Sequence, residues 1–343
     1  MVNACSIILA AGEGTRMKSN QPKVLSKVLF KPMIGWVLGT ISKLNIDNTC
    51  IVTGYKSELL LSYLNTLPYS LKTVLQTQRL GTAHAVTMAD NFLRENIEKD
   101  VLILNGDAPF IDEKTISESL ELHRKEENAA TVISAKVTDP TGYGRILRND
   151  ETLSLAAIVE QKDATDGIKK INEVNSGAYW FNVRALLSVI YDIKNDNSQK
   201  EFYLPDAISL LLSRGYKVNA FKADSQDIVL GANDYVQLNK LNCIARQRVL
   251  LKLMKNGVDI PCIDGVIITD DVNIESGTCI LPNTIIKGKS SIGHNCIIGP
   301  NTFIDNSFVD NNVSLNSIHC LSSHVIANKS IKPFSVIYNN KFV

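Results

Sequence analysis

No Cys-x-x-Cys pair occurs in this sequence, no apolar run approaches the ~20 residues that cross a bilayer, and neither sign of charge is in excess. Each absence excludes something. Seven cysteines, at 5, 50, 243, 262, 279, 296 and 320, are an odd number and widely spread, which argues against a disulfide framework or a structural zinc site and for reduced thiols. A formal net charge of +1 gives no reason to expect nucleic acid or an anionic membrane as partner. The apolar stretch from Ala4 to Ala11 lacks a basic segment before it and runs directly into Gly12-Glu13-Gly14. It reads as a buried first strand rather than a signal core, in a protein expected to be cytoplasmic.

What is present suits a soluble chain that buries a core and is long enough for two domains: 343 residues, 45% hydrophobic and 21% charged. The first ~225 residues alternate short β-rich runs with helical stretches. Ser6–Leu9, Thr49–Thr53, Val101–Leu104 and Ala130–Val137 read as strands, and Ile34–Leu44 as a helix. Continuous apolar strands separated by helices imply a mainly parallel α/β sheet covered on both faces. Ligands of such sheets bind beyond the carboxyl ends of the strands, and both Gly12-Glu13-Gly14 and Asp107 sit at such ends.

The glycine segment is neither of two familiar phosphate cradles. A Walker loop needs Gly-Lys-Ser/Thr, but Thr15-Arg16 follows Gly14. The dinucleotide fingerprint needs a third glycine where this chain has Met17. Glycines 12 and 14 would still let backbone N–H groups approach phosphate oxygens without a Cβ in the way.

From about Asn233 to Asn256 the pattern turns helical, with Leu238, Leu241, Ala245, Val249 and Leu253 three or four apart. After it the period becomes six. Isoleucine occupies 268, 274, 280, 286, 292, 298 and 304, and a small or β-branched residue stands two positions before each. That is the signature of a parallel β-helix of about four to five coils, with isoleucine pointing inward. The phase is expected to slip by one and continue as Phe303, Val309, Leu315 and Leu321, with Pro333 and Asn339-Asn340-Lys341 as a terminal cap.

Leu9-Ala10-Ala11-Gly12-Glu13-Gly14-Thr15-Arg16-Met17 with Pro22-Lys23-Val24-Leu25 resembles the signature of sugar-nucleotide pyrophosphorylases in general. Later motifs are more selective: Gln76–Ala85, Asp139–Ile146, Ile158–Ala164, Glu173–Gly177, Glu201–Asp206 and Gly231–Asn233. With these, in this order and over residues 5 to about 305, the chain resembles the bacterial bifunctional N-acetylglucosamine-1-phosphate uridylyltransferase/glucosamine-1-phosphate acetyltransferase family. The resemblance implies a Rossmann-like nucleotidyltransferase domain over residues 1–228, a connecting helix over 229–258 and a short left-handed β-helix over 259–343. It also implies Mg²⁺-dependent transfer of a uridylyl group from UTP to N-acetylglucosamine 1-phosphate, giving a cell-wall precursor (for peptidoglycan and lipopolysaccharide) and pyrophosphate. A homotrimer is the expected assembly.

Carried over residue by residue, the resemblance assigns Arg16 as a fork for the β/γ phosphates and Lys23 as a point charge near the α-phosphate. Leu9, Ala10, Ala11, Gly12, Gly14, Gln76, Gly81 and Thr82 fall to UTP, with Thr82 also beside the sugar; Gly144, Glu160, Asn175 and Asn233 fall to the sugar phosphate. Asp107 and Asn233 are the expected Mg²⁺ ligands, a carboxylate and an amide oxygen suiting a hard cation. His84 is expected to be structural, since a phosphate nucleophile needs no base. Asn105 stands where some family members have tyrosine, so no sugar contact is expected there. His123, His294, His319 and His324 show no metal spacing. The family's acetyl-transfer segment would follow residue 343, and that activity is expected to be absent. Two other readings stay open: a nucleotidyltransferase of different base or sugar, and an inactive trimeric scaffold.

Overall fold

Strands that are apolar on both faces must be covered on both, and the first half of the chain is built that way. The computed structural model describes residues 3–149, 151 and 154–343. The chain divides into two compact units, one of residues 1–26 and 31–238 and the other of residues 27–30 and 239–343.

The first unit is a nine-stranded sheet of β1 (Ala4–Ala10), β2 (Thr49–Thr53), β3 (Leu71–Leu75), β4 (Asp100–Asn105), β5 (Ala130–Lys136), β6 (Arg145–Arg148), β7 (Leu155–Val159), β8 (Glu173–Asn182) and β9 (Val218–Ala223). The order is β9-β5-β8-β4-β1-β2-β3, with β6 joining β8 to β7. β8 runs antiparallel to β4 and β5; the other neighbours along that order are parallel. Successive residues on a strand enter opposite cores. Ile7, Ile103 and Phe181 pack on one face, while Ile8, Leu102 and Trp180 pack on the other. Helix α1 (Met33–Lys43) covers the second face with Ile34, Val37, Leu38 and Ile41. Helix α2 (Thr82–Thr87) covers the first with Ala83, Ala85 and Val86. Because β1, β2 and β4 are parallel and in register, Leu9 lies beside Asn105 and Ala10 beside Thr53, so their carboxyl ends open on one edge.

All seven cysteines are free. Burial pushes the Cys5 thiol up to about 12 and Cys50 to about 11, so both stay protonated and unreactive at neutral pH.

Helix α3 (Tyr235–Lys255) contains the boundary between the units, at 238/239. The second unit then winds as a parallel β-helix. Its inward columns read Ile268–Ile286–Ile304–Cys320–Ile337, Ile274–Ile292–Val309–Val325 and Ile280–Ile298–Leu315–Ile331. The seven isoleucines at intervals of six from 268 to 304 are all buried. The expected one-residue slip holds at Val309 and Leu315 but not at its ends. Phe303 and Leu321 point outward, and Ile304 and Cys320 are the buried partners. The reason is that residues are dropped at corners rather than along strands: 286 to 304 spans eighteen residues, 304 to 320 only sixteen.

Those corners need left-handed backbone, which asparagine tolerates better than other side-chain-bearing residues. Asn283, Asn295, Asn301, Asn306, Asn312 and Asn328 all have φ between 47° and 59°. Stacked serines tie successive coils: Ser307 N–H donates to Ser290 Oγ and Ser323 N–H to Ser307 Oγ, both at 3.1 Å. Lys341–Phe342 turns back through Asn339 and Asn340, both with positive φ, and pairs antiparallel with Val336–Tyr338.

The observed register has a direct test. Ile304→Ala should cost about 2–5 kcal/mol in urea unfolding, and Phe303→Ala clearly less; the opposite ranking would restore the shifted register.

Candidate active site

β1 leaves the sheet at Ala10, and the chain must turn sharply over the sheet edge. Gly14 makes that turn at φ 68°, and a Cβ there would lie 2.6 Å from the Cβ of Lys23, so conformation and space both require glycine. The next residues form a tight turn, Thr15–Met17, anchored by the buried Met17, and a second, Lys23–Leu25, begins after Pro22. The loop therefore closes on itself, with Lys23 folded back against Gly14. Gly12 is exposed, with nothing within 4 Å of a Cβ built on it.

Two other segments meet this loop. Gly106 N–H donates to Leu9 O at 2.9 Å, which sets Asp107 at the end of β4 beside the end of β1. Gly231 runs close over Asp107, and Asn233 follows, its N–H held by Gln237 Oε1 at 2.7 Å. The Lys23 ammonium lies between the two: it donates to Asn233 Oδ1 at 2.6 Å and forms an ion pair with Asp107 Oδ2. Lys23, Asp107 and Asn233 thus form one cluster, open to solvent at Asp107, which is 27% exposed.

Arg16 sits exposed on the first of the two turns. Leu9, Ala10 and Ala11 line the edge below it; the Ala11 carbonyl accepts from Tyr55 N–H at 3.2 Å, while Ala10 and Ala11 are buried. Glu13 pairs with Arg79 at 2.8 Å and so ties the glycine loop to the segment that follows β3.

That segment holds Gln76, Gly81 and Thr82. Gln76 is 5% exposed, its backbone N–H fixed on Thr53 O at 2.8 Å. Its side-chain Nε2 lies 3.1 Å from Gly81 O and 2.9 Å from His84 Nδ1. Gly81 has φ 111°, and a Cβ there would stand 2.5 Å from Phe202 O. Thr82 Oγ1 accepts from Leu204 N–H at 2.9 Å, so half of that hydroxyl is spent on structure.

A third cluster forms where β6, β7 and β8 meet. Asn175 N–H donates to Gly144 O at 2.9 Å, and a Cβ on Gly144 would lie 2.9 Å from Glu160 Oε1. Asn175 Nδ2 donates to the buried Tyr179 hydroxyl at 2.6 Å, while its Oδ1 accepts from Gly177 N–H at 3.1 Å. Burial, then Asp206 and Asp163, push Glu160 above the usual carboxylate range, and Arg145 opposes them. Asp206 is raised by its own burial and by Asp163.

Asp107 and Asn233 also meet a simple test for a divalent cation. Their two hard oxygens converge on a single positive group, here the Lys23 ammonium. Among the described residues no three His, Cys, Asp or Glu side chains gather to hold a metal. Further ligands would have to be phosphate or water oxygens.

Against known proteins, residues 5–236 match the nucleotidyl transferase family and residues 271–306 the bacterial transferase hexapeptide repeat. The bifunctional protein GlmU of Clostridioides difficile is 37% identical over 98% of this chain and 72% of its own length. The chain belongs to the GlmU family of nucleotidyl transferases. GlmU of Caldanaerobacter subterraneus subsp. tengcongensis is 41% identical over 89% of the chain, and the match spans 65% of that relative, somewhat less than two thirds. Among solved structures, a glucose-1-phosphate thymidylyltransferase from Bacillus anthracis superposes on 71% of the chain with TM-score 0.60 at 22% identity. A UDP-glucose pyrophosphorylase complexed with UDP-glucose superposes on 72% with TM-score 0.60 at 17%. At these identities both show the fold alone.

Within this nucleotidyl transferase the structure adds three residues to those expected at the site. Asn105, set aside for lacking the tyrosine, packs its amide against Gly177, beside Asn175. Arg145 is 1% exposed and donates to Tyr143 O and, at 2.7 Å, to Gln161 Oε1. His84 faces Gln76. His84 and Arg145 lie inside the Gln76–Ala85 and Asp139–Ile146 segments that carried the resemblance, whereas Asn105 lies outside them.

The raised Glu160 yields a pH test. A carboxyl whose folded value lies above its unfolded one lowers stability as pH rises through the folded value. Glu160→Gln should therefore raise Tm at about pH 8 and give no gain at about pH 4, read by calorimetry; an equal gain at both would remove the electrostatic cause.

Proposed function

We propose that the chain transfers a uridylyl group from UTP to N-acetylglucosamine 1-phosphate, giving UDP-N-acetylglucosamine and pyrophosphate. The observation that carries this reading is the Lys23–Asp107–Asn233 cluster at the mouth of the glycine loop, with the Gln76 and Glu160 clusters on the same sheet.

The chemistry asks little covalent work of the protein. A phosphate oxygen of the sugar phosphate is an anion at neutral pH and attacks the α-phosphorus of UTP. The new O–P bond forms as the bond to the β-phosphate oxygen breaks, and pyrophosphate leaves with that electron pair. No proton need move. Catalysis becomes a matter of holding two polyanions together and matching the charge that builds up between them.

Backbone N–H groups around Gly12 and Gly14, with the Arg16 guanidinium, would receive the β and γ phosphates. Lys23, here tethered to Asp107 and Asn233, would meet the α-phosphate; its mobile stem allows the exchange. Leu9, Ala10 and Ala11 would bound the ribose, and Gln76 and Gly81 the base. Thr82, Gly144, Glu160 and Asn175 would hold the sugar and its acetamido group, Glu160 accepting from sugar hydroxyls. Asp107 and Asn233 would hold Mg²⁺, which when bound supplies charge neutralisation on the phosphate oxygens.

Catalysis is assigned to residues 1–228 with Asn233 from the start of the connecting segment 229–258, and self-association, as a homotrimer, to 259–343. Among the described residues no helix is long and apolar enough to cross a membrane. On the GlmU-family reading we further place the protein in the cytoplasm. Acetyl transfer is left out of this reading. All three β-helix histidines have partners: His294 Nδ1 lies 3.2 Å from Ser276 O, His319 stacks edge-on against Phe303, and His324 Nε2 lies 2.9 Å from Asp310 Oδ1.

Pyrophosphate release across a panel of nucleoside triphosphates and sugar 1-phosphates tests the assignment. Turnover is expected with UTP and N-acetylglucosamine 1-phosphate, and Asp107→Asn should lower kcat at least a hundredfold, a loss of about 2.7 kcal/mol. Preference for another pair would replace the substrates, and no release with any pair would leave only the scaffold reading. Sedimentation at the mass of one 37.8 kDa chain would remove the trimer, and acetyl-CoA-dependent acetylation of glucosamine 1-phosphate would restore the second activity.

A further inference from the structure

Gln76 can read a base only through what its amide has left to offer. The amide nitrogen has two hydrogens and two acceptors in reach, Gly81 O at 3.1 Å and His84 Nδ1 at 2.9 Å. A backbone carbonyl can only accept, so the group facing it is the nitrogen and not the amide oxygen. The ring nitrogen facing that same NH₂ must then be the unprotonated one. His84 is thereby the neutral tautomer that carries its proton on Nε2. What remains is Gln76 Oε1, which takes part in no hydrogen bond with a described residue. The side chain is 5% exposed and its backbone is pinned to Thr53, so it has little other freedom.

We infer that His84 is a positioning residue for base selection: it locks the Gln76 amide so that only a hydrogen-bond acceptor faces the nucleobase. This deepens the uridine reading above and rests on it. Uracil carries N–H at ring position 3, cytosine a bare nitrogen there. A glutamine free to turn over would satisfy either, by presenting Oε1 to one and NH₂ to the other. The lock removes the second option, because turning the amide would set Oε1 against the Gly81 carbonyl and the His84 lone pair, two acceptors. His84 is well held for the task. It lies in α2, which begins where Ala83 N–H donates to Phe202 O at 2.9 Å, and its own carbonyl accepts from Thr87 Oγ1 at 2.8 Å. The lock does not distinguish uracil from thymine, which share the N3–H; any such choice has to come from elsewhere.

The test is pyrophosphate release with UTP and with CTP in wild type, His84→Asn and His84→Phe. Asparagine can place an acceptor where Nδ1 stands; phenylalanine keeps a ring of similar size and has none. For His84→Phe the expected result is a roughly tenfold higher KM for UTP, about 1.4 kcal/mol, and an UTP-over-CTP preference about tenfold smaller, with kcat within about twofold. His84→Asn should keep the preference within about threefold of wild type. A His84→Phe enzyme with unchanged preference overturns the inference, and so does one that loses kcat while keeping its preference. A wild type with no preference for UTP over CTP overturns the uridine reading itself and the base role of the lock with it. Nitrogen NMR of the histidine-labelled wild type probes the lock without any substitution. It should find His84 Nδ1 unprotonated and Nε2 protonated, and the reverse tautomer would overturn the inference.

Discussion

One ammonium group held by two oxygens organises the edge of the sheet where β1 and β4 end. Lys23 lies on the loop after β1, Asp107 follows β4, and Asn233 precedes the long helix, yet all three meet at one point. The geometry around them follows from that meeting. Gly14 must lack a side chain because the Lys23 stem occupies its place, and Gly231 passes close to the Asp107 backbone. A carboxylate only 27% exposed at the end of a buried strand needs a partner, and the lysine supplies it until substrates bring their own charges. The same two oxygens that hold the ammonium are of the hard kind that suits a divalent cation.

The three clusters differ in how much of their bonding capacity is spent. In the Gln76 cluster the amide nitrogen is fully engaged, which leaves a single acceptor and so a definite chemical question for the base. In the Glu160 cluster the reverse holds: a half-buried carboxylate sits near two other acids with only Arg145 to offset them. That arrangement costs stability and would be relieved by hydroxyl donors from a sugar. Strain of this kind is common where function outweighs folding. The second unit is held by regular stacking instead. Its inward columns are aliphatic apart from one cysteine, many of its left-handed corners use asparagine or glycine, and its serines bond coil to coil.

Much of this was legible in the sequence because it rests on local signals. Apolar runs with helices between them announced the parallel sheet, and isoleucine every six residues announced the β-helix. Gly12-Glu13-Gly14 and Asp107 could be placed at strand ends and therefore on one edge. The register beyond 304 was not legible, since a residue dropped at a corner and a shift along a strand leave the same trace in an amino-acid string; only the pairing of Ile304 with Cys320 separates them. Nor could spacing show that Gln76 spends its amide on His84, or that Asn105 lies against Gly177. Those contacts are made by side chains brought together by loops, for which sequence has no period. Arg145 is the middle case, a charged residue inside the Asp139–Ile146 segment whose burial only the fold reveals.

The central claim is a single in-line displacement at the α-phosphorus by a sugar phosphate oxygen, with no bond to the protein on the way. Stereochemistry reads it most directly. With one diastereomer of UTP carrying sulfur on the α-phosphorus, the account predicts a sugar nucleotide of inverted configuration at that phosphorus. Retention would require two displacements and a covalent intermediate, and would contradict it.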